Sequence, residues 1–201
     1  MVEPSADVYG RVAGEFDART QLDELPDSFR DLLDSFVEAL EGPAVLDAGC
    51  GPGRDAAFFA ERGLNPVGID RAAGMVEYAR ANRPRQYLRM DLQSLGFAAD
   101  TFDGVWCPAS VFFVSFEGMA AALAEFERVL RPDGVARVGF KLGDGRLEVE
   151  KWGTTTVEYR LPVKRAREML GSAGVDVESV AVDEVASGAR FANLECSPCR
   201  T

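Results

Sequence analysis

The order of apolar runs along this chain predicts an α/β fold in which a mostly parallel sheet is covered by helices on both faces. Three observations carry that prediction. Short apolar strands alternate with amphipathic helices through the first 140 residues, and a glycine-rich turn joins the first strand to the helix that follows it. Beyond Phe140 the pattern changes to paired strands, which adds antiparallel pairing to the sheet.

Residues 26–40 place Phe29, Leu32, Leu33, Phe36, Val37 and Leu40 at helical spacing, and Glu41-Gly42-Pro43 stops that helix. Residues 44–46 read as a short buried strand running into Asp47-Ala48-Gly49-Cys50-Gly51-Pro52-Gly53. A helix over 54–62 follows, with Gly63 just past its end. Residues 66–70 form the next strand and 72–82 the next helix. Further strands are expected over 87–90, 104–106 and 135–140, with a helix over 119–130 between the last two. After the turn Gly143-Asp144-Gly145, residues 148–161 alternate as β structure and 165–170 are helical. Final strands over 175–182 and 190–196 predict a hairpin turning near Ser187-Gly188.

The chain has 201 residues, 47% of them hydrophobic and 27% charged, which suits one domain that needs no disulfide staples. Thirty-three acidic residues face twenty-two basic ones, for a net charge of −11, and the lysines are Lys141, Lys151 and Lys164. So acidic a surface repels phosphate backbones, and no nucleic-acid partner is expected. The shortage of lysine beside arginine resembles proteins of salt-accumulating archaea, and a GC-rich genome gives the same preference. No apolar run approaches the roughly 18 residues of a membrane span, and the N-terminus lacks a signal-peptide core. A cytoplasmic protein with no membrane partner is expected.

The chain contains no histidine, which excludes Ser-His-Asp hydrolysis, Cys-His proteolysis and HExxH zinc chemistry. Four scattered cysteines do not make a disulfide framework. Cys196-Ser-Pro-Cys199 is a lone CxxC, too few ligands for zinc, and reads as a frayed terminal strand; no metal is expected.

The glycine turn carries the strongest site signal. Glycines between a strand end and a helix N-terminus permit positive φ and let a ligand approach bare backbone N–H groups. A plain strand-to-helix turn also uses glycines, so the loop alone decides little. A dinucleotide fingerprint wants a glycine at the sixth position from Gly49, where Arg54 stands, and no Gly-Lys-Ser/Thr follows for a phosphate loop. Asp70 ends the next strand, where an acid accepts both hydroxyls of a ribose. Loop and acid together mark a nucleoside-containing ligand at the carboxyl edge of the sheet.

Five segments in register carry a family resemblance: residues 45–53, Val67-Gly68-Ile69-Asp70, Asp91-Leu92, Phe102-Asp103-Gly104-Val105-Trp106 and Arg128-Val129-Leu130-Arg131-Pro132-Asp133-Gly134. The set resembles the class I S-adenosylmethionine-dependent methyltransferases, closest to small members acting on small molecules, and runs from about Tyr9 to the C-terminus. The resemblance implies a doubly wound seven-stranded sheet of order 3-2-1-4-5-7-6 with the last strand antiparallel. It implies S-adenosyl-L-methionine as cofactor, with Asp47, Gly49 and Gly51 at the methionine moiety and Asp70 on the ribose hydroxyls. Arg71 would pack beside the adenine, Asp91 would accept from its amino group, and Leu92 would complete that pocket. Cys107 would contact the cofactor near the methyl donor. Tyr9 and Phe16 stand in an N-terminal segment, residues 1–25, that closes like a lid over the cofactor in such proteins.

Many relatives carry a histidine in a Leu-Leu-His-Val stretch after the fourth strand; here Phe113 takes that place, so no catalytic acid or base is identified. Phe112, Phe113, Trp152 and Tyr159 are candidates for an apolar acceptor pocket, with residues 143–161 covering it, and Trp106 is expected in the core. Glu148, Glu150 and Glu158 read as a solvated face. The expected function is methyl transfer to a small-molecule acceptor by alignment with the S–CH3 bond. The rival is a protein that binds S-adenosylmethionine without transferring its methyl group.

Overall fold

The computed structural model describes residues 4–185 and 188–199. Helices α1 (Ser5–Arg11), α2 (Ala13–Arg19) and α3 (Asp27–Ala39) lead into β1 (Ala44–Ala48), α4 (Arg54–Glu61), β2 (Asn65–Asp70), α5 (Ala73–Asn82) and β3 (Gln86–Arg89). Then come β4 (Phe102–Cys107), a 3-10 turn over Val111–Phe113, α6 (Phe116–Val129) and β5 (Leu130–Lys141). The chain continues with β6 (Gly145–Lys151), β7 (Thr154–Arg160), α7 (Val163–Ser172), β8 (Val175–Glu184) and β9 (Arg190–Pro198).

Seven strands form one sheet in the order β3-β2-β1-β4-β5-β9-β8. β1 to β5 run parallel, and β9 is antiparallel to both β5 and β8. The expected doubly wound α/β class holds. The numbers 7-6 become 9-8 because β6 and β7 make a two-stranded ribbon of their own, outside the sheet. Ser187 of the expected final turn lies outside the described residues.

Helices on both faces bury the central strands, so β4 is buried at all six positions, as parallel strands between two helical layers must be. On one face Leu32, Leu33 and Phe36 of α3 meet Phe58, Phe59 and Trp106. Trp106 is in the core as expected, and its Nε1 donates to Asp55 Oδ2 at 2.9 Å. On the other face Met119, Ala122, Leu123 and Phe126 of α6 repeat at helical spacing over the main cluster, with Ala166 and Leu170 of α7 beside them.

Two local outcomes differ from the sequence expectation, and a third decides between its alternatives. β5 starts at Leu130, not Val135, with a pairing irregularity between Phe102 and Gly104 that absorbs Pro132-Asp133-Gly134. Asp103 locks that irregularity: its Oδ2 accepts from the Ala44 N–H at 2.8 Å, and Arg131 pairs with its other oxygen. The segment expected as a strand or hairpin is the hairpin of β6 and β7, residues 145–160, closed by Trp152 (φ 55°) and Gly153 (φ 73°) with Lys151 opposite Thr154. Two positive φ angles match the hairpin twist, and the first is carried by a tryptophan at a cost of about 1 kcal/mol or more. Cys196 is no frayed end: it is buried in β9, paired with Ala136 and Val177, and burial pushes its thiol up to about 12.

Candidate cofactor and acceptor site

The site is built on the carboxyl ends of the parallel strands. After Ala48 the chain turns over Gly49 (φ 80°), Gly51 (φ 52°) and Gly53 (φ 82°) into α4. A Cβ at Gly49 would fall 1.9 Å from Ser110 Oγ, so glycine is required there twice over, by angle and by space. The N–H groups of Gly49 and Cys50 both donate to the Ile69 carbonyl, at 2.8 and 2.9 Å. Asp70, one residue further along β2, accepts from the Gly51 N–H at 3.0 Å and from the Ala72 N–H at 2.8 Å. It therefore braces both the glycine turn and the opening of α5. Burial pushes its carboxyl above the usual range, and the backbone N–H donors only partly offset that.

Asp47 lies on β1 beneath the turn, only 2% exposed, and its Oδ2 is buried with no hydrogen-bond partner among the described residues. Burial first, then the nearby Asp55 carboxylate, push its carboxyl well above the usual range. A buried polar atom without a partner is unfavourable in the free protein, and it marks where a ligand donor fits.

A cavity of ≈ 470 Å³ opens above these residues. On the β1–β2 side it is walled by Asp47, Gly49, Gly51, Asp70 and Arg71, with Asp91 and Leu92 after β3. Arg71 faces Asp91 at 3.7 Å, and the Gln93 N–H donates to Asp91 at 3.0 Å. Tyr9 and Phe16 cover it, their rings 5.4 Å apart, and Tyr9 also meets the Phe113 ring at 5.3 Å. On the β5–β9 side the wall is Phe112, Phe113, Lys141, Lys151, Phe191 and Asn193.

Three of the residues singled out from sequence do not line this cavity. Cys107 is the last residue of β4 and is wholly buried in the main core, which pushes its thiol up; the following Pro108, Ala109 and Ser110 reach the cavity instead. Trp152 stands at the hairpin tip, 6.2 Å from the Phe16 ring and 4.8 Å beneath the Arg19 guanidinium. Tyr159 packs on Phe116 at 5.4 Å and lines a neighbouring hollow of ≈ 360 Å³ with Phe113. Conversely, Lys141, Lys151 and Glu158 were missed. Glu158 is completely buried among Lys141, Lys151 and Arg160, so it is not part of the solvated face to which Glu148 and Glu150 belong.

A family model described as a methyltransferase domain matches residues 46–138, from β1 into β5. A malonyl-[acyl-carrier protein] O-methyltransferase of Salmonella typhimurium is 31% identical over 131 residues, 65% of this chain and 50% of that protein. The protein of the same name from Pseudescherichia vulneris is 29% identical over 197 residues, 92% of this chain and 76% of that one. Residues 46–138 thus match the methyltransferase domain family, and the chain is similar to class I S-adenosylmethionine-dependent methyltransferases. Its fold overlays that of the CcbJ methyltransferase from Streptomyces caelestis with a TM-score of 0.78, at 15% identity and covering 97% and 99% of the two chains. The chain spans about half the length of the Salmonella relative and of its counterpart in Pectobacterium atrosepticum.

The two N-terminal helices are tied down at defined points. Each has seven residues, too short to be stable alone. Asp17 of α2 pairs with Arg83 at 2.9 Å and accepts from the Tyr78 hydroxyl at 3.1 Å, while Arg83 also donates to the Pro52 carbonyl in the glycine turn. Arg54 donates to the Thr20 carbonyl at 2.7 Å. α1 rests on α5 through two glycines, and a Cβ on Gly74 would lie 2.1 Å from the Gly10 carbonyl oxygen. Gly74→Ala improves the intrinsic helix propensity of α5 by about 1 kcal/mol, yet it must push α1 away. We expect faster proteolytic nicking of residues 5–19 and at least fivefold weaker S-adenosylhomocysteine binding, with the global urea midpoint little changed. Unaltered nicking and binding would show that α1 does not depend on this contact.

Proposed function

We propose that this chain transfers the methyl group of S-adenosylmethionine to a small-molecule acceptor. The observation that carries the reading is the buried, unpartnered Asp47 oxygen beside the glycine turn, facing a cavity at the strand carboxyl ends in a chain similar to this family. When bound, S-adenosylmethionine supplies an electrophilic methyl on a sulfonium. Asp47, Gly49 and Gly51 would hold its methionine part, Asp70 the ribose hydroxyls, and Asp91, Leu92 and Arg71 the adenine. Cys107 takes no part in this assignment. Tyr9 and Phe16, within a lid-like segment of residues 1–25, would exclude water from the reacting atoms. Phe112 and Phe113 would offer the acceptor an apolar wall, and residues 143–161 would cover it, with Trp152 and Tyr159 supporting that cover from behind. One methyltransferase domain would extend over residues 1–201. The curated relatives bear the name of O-methyltransferases acting on a malonyl group carried by a protein, which supports an oxygen acceptor here.

Without histidine, catalysis would rest on alignment in the covered cavity, with the acceptor arriving as a ready nucleophile or deprotonated by another group. Calorimetry with S-adenosylhomocysteine, followed by incubation of a metabolite extract with methyl-labelled cofactor, tests this reading. Binding together with a labelled product is expected; binding with no label moved across a broad acceptor panel would favour the non-transferring rival.

The same assignment makes Asp47 a residue kept at the expense of stability. Its folded pKa is raised, so the folded chain holds this proton more tightly than the unfolded one, and the ionised form destabilises the fold at neutral pH. Asp47→Asn should therefore raise the melting temperature of the free protein at pH 7 by about 3 °C or more. The advantage should vanish below about pH 4, where the unfolded chain is protonated too. S-Adenosylhomocysteine affinity should fall at least tenfold in the same variant. A lower melting temperature at pH 7 would show that the carboxylate is stabilised by something other than the cofactor.

A further inference from the structure

Lys141 and Lys151, two of the three lysines of the chain, both reach the acceptor side of the cavity. Lys141 ends β5 and is 5% exposed; Lys151 ends β6. They meet around Glu158 of β7. Lys141 Nζ lies 2.7 and 2.6 Å from the two Glu158 oxygens, Lys151 Nζ 2.8 Å from one, and the Arg160 guanidinium 2.8 Å from the other. Three cations thus share one carboxylate, and the cluster keeps positive charge in excess, within a chain of net charge −11.

Lys141 and Glu158 are buried while Lys151 and Arg160 are partly exposed, so the excess charge sits at the cavity edge, where an anion from outside the chain would be favoured. The donors allow it. An ammonium has three N–H groups; Lys141 lies against both Glu158 oxygens, and Lys151 against one of them. Both lysines line the cavity and keep donor capacity beyond these contacts. Asn193 of β9, 4% exposed, also lines the cavity; its Nδ2 donates to Asp183 at 3.5 Å, and its Oδ1, an acceptor, adds nothing to anion binding. Aromatic rings surround the charges. Lys141 Nζ is 5.7 Å from the centroids of both Phe112 and Phe191, and Lys151 Nζ is 5.7 Å from that of Phe113. The opposite wall carries Asp47, Asp70 and Asp91, which would turn an anion away from the cofactor side.

We propose that the acceptor is a small organic acid, anchored by its oxyanion on Lys141 and Lys151 with an apolar body against Phe112, Phe113 and Phe191. The proposal rests on the methyltransferase reading above and deepens it. An ionised acid needs no proton removed before it reacts. Its oxygen lone pair forms the new O–CH3 bond as the S–CH3 bond breaks, and sulfur keeps the electron pair, which suits a site without histidine.

The test is calorimetry on the full chain, first with S-adenosylhomocysteine alone and then, on the loaded protein, with benzoate, hexanoate, phenyl phosphate and their neutral counterparts benzamide and hexanamide. The expected result is binding of acids at least tenfold tighter than of the amides, with the carboxylates and the phosphate ester separating the two oxyanion sources. Lys151→Gln, which leaves Glu158 held by Lys141 and Arg160, should remove that preference while changing S-adenosylhomocysteine affinity less than twofold. Amides binding as well as acids would overturn the proposal on the wild-type chain alone. So would a Lys151→Gln variant that loses S-adenosylhomocysteine rather than the acid, since the lysines would then serve the cofactor. Failure of S-adenosylhomocysteine to bind the wild type would instead strike at the methyltransferase reading.

Discussion

Asp70→Ala is expected to weaken S-adenosylhomocysteine binding by roughly 10²–10⁴-fold, the largest loss of affinity from any single change in this site. Two charge-assisted hydrogen bonds to ribose hydroxyls, at roughly 1.5–3 kcal/mol each, would disappear. A second loss adds to the first. Asp70 also accepts from the Gly51 and Ala72 N–H groups, so its removal leaves two backbone donors without partners and frees the glycine turn that faces the ligand. Asp70→Asn keeps one carbonyl acceptor and should fall between, at about tenfold. Acidification should act as a milder version of the mutation. Because burial raises the Asp70 pKa, the carboxylate takes up its proton at a higher pH than an exposed aspartate, and affinity should begin to fall there. Calorimetry from pH 8 to pH 5 reads all of this. Unchanged affinity in a folded Asp70→Ala chain would remove Asp70 from the site.

The parallel sheet and its glycine turn were legible because their causes are local. Alternating apolar runs and positive-φ glycines are written residue by residue, so β1, β2 and Asp70 fall where the sequence puts them. α1 and α2 were not legible, since seven-residue helices persist only through contacts with α5 that lie over sixty residues away. Glu158 misled for a related reason. Alternation in β7 separates Val157 and Tyr159 from Thr156 and Glu158, and it does not say which face turns inward. An apolar face was expected inside. The hairpin leaves the sheet, however, and the face it turns toward Lys141 is the polar one, with Thr156 and Glu158 fully buried. Cys107 shows the same ambiguity at the end of β4, where one step along the strand separates core from cavity.

Glu158→Gln should destabilise the protein by about 3–5 kcal/mol, the usual effect of removing one partner from a buried ion pair. Lys141, Lys151 and Arg160 would then repel one another with no carboxylate between them. Burial already holds the Lys141 pKa below the usual lysine value, so this lysine would release its proton and limit the loss. The effect has a pH signature. Burial alone would raise the Glu158 pKa, but hydrogen bonds from Lys141, Lys151 and Arg160 outweigh it and hold the group at about 2, below the ordinary 4.5. A depressed carboxyl stabilises the fold above its unfolded pKa and loses that contribution as pH falls toward its folded one. The difference between wild type and variant in urea unfolding should therefore be about 3 kcal/mol at pH 7 and roughly half of that at pH 3. Equal midpoints at pH 7 would show that the cluster does not depend on its carboxylate. A fold that lacks this internal anion should also respond more strongly to an external one. Benzoate is expected to raise the melting temperature of Glu158→Gln by more than that of the wild type, because it would supply the counter-charge that the variant has lost and favour the protonated Lys141.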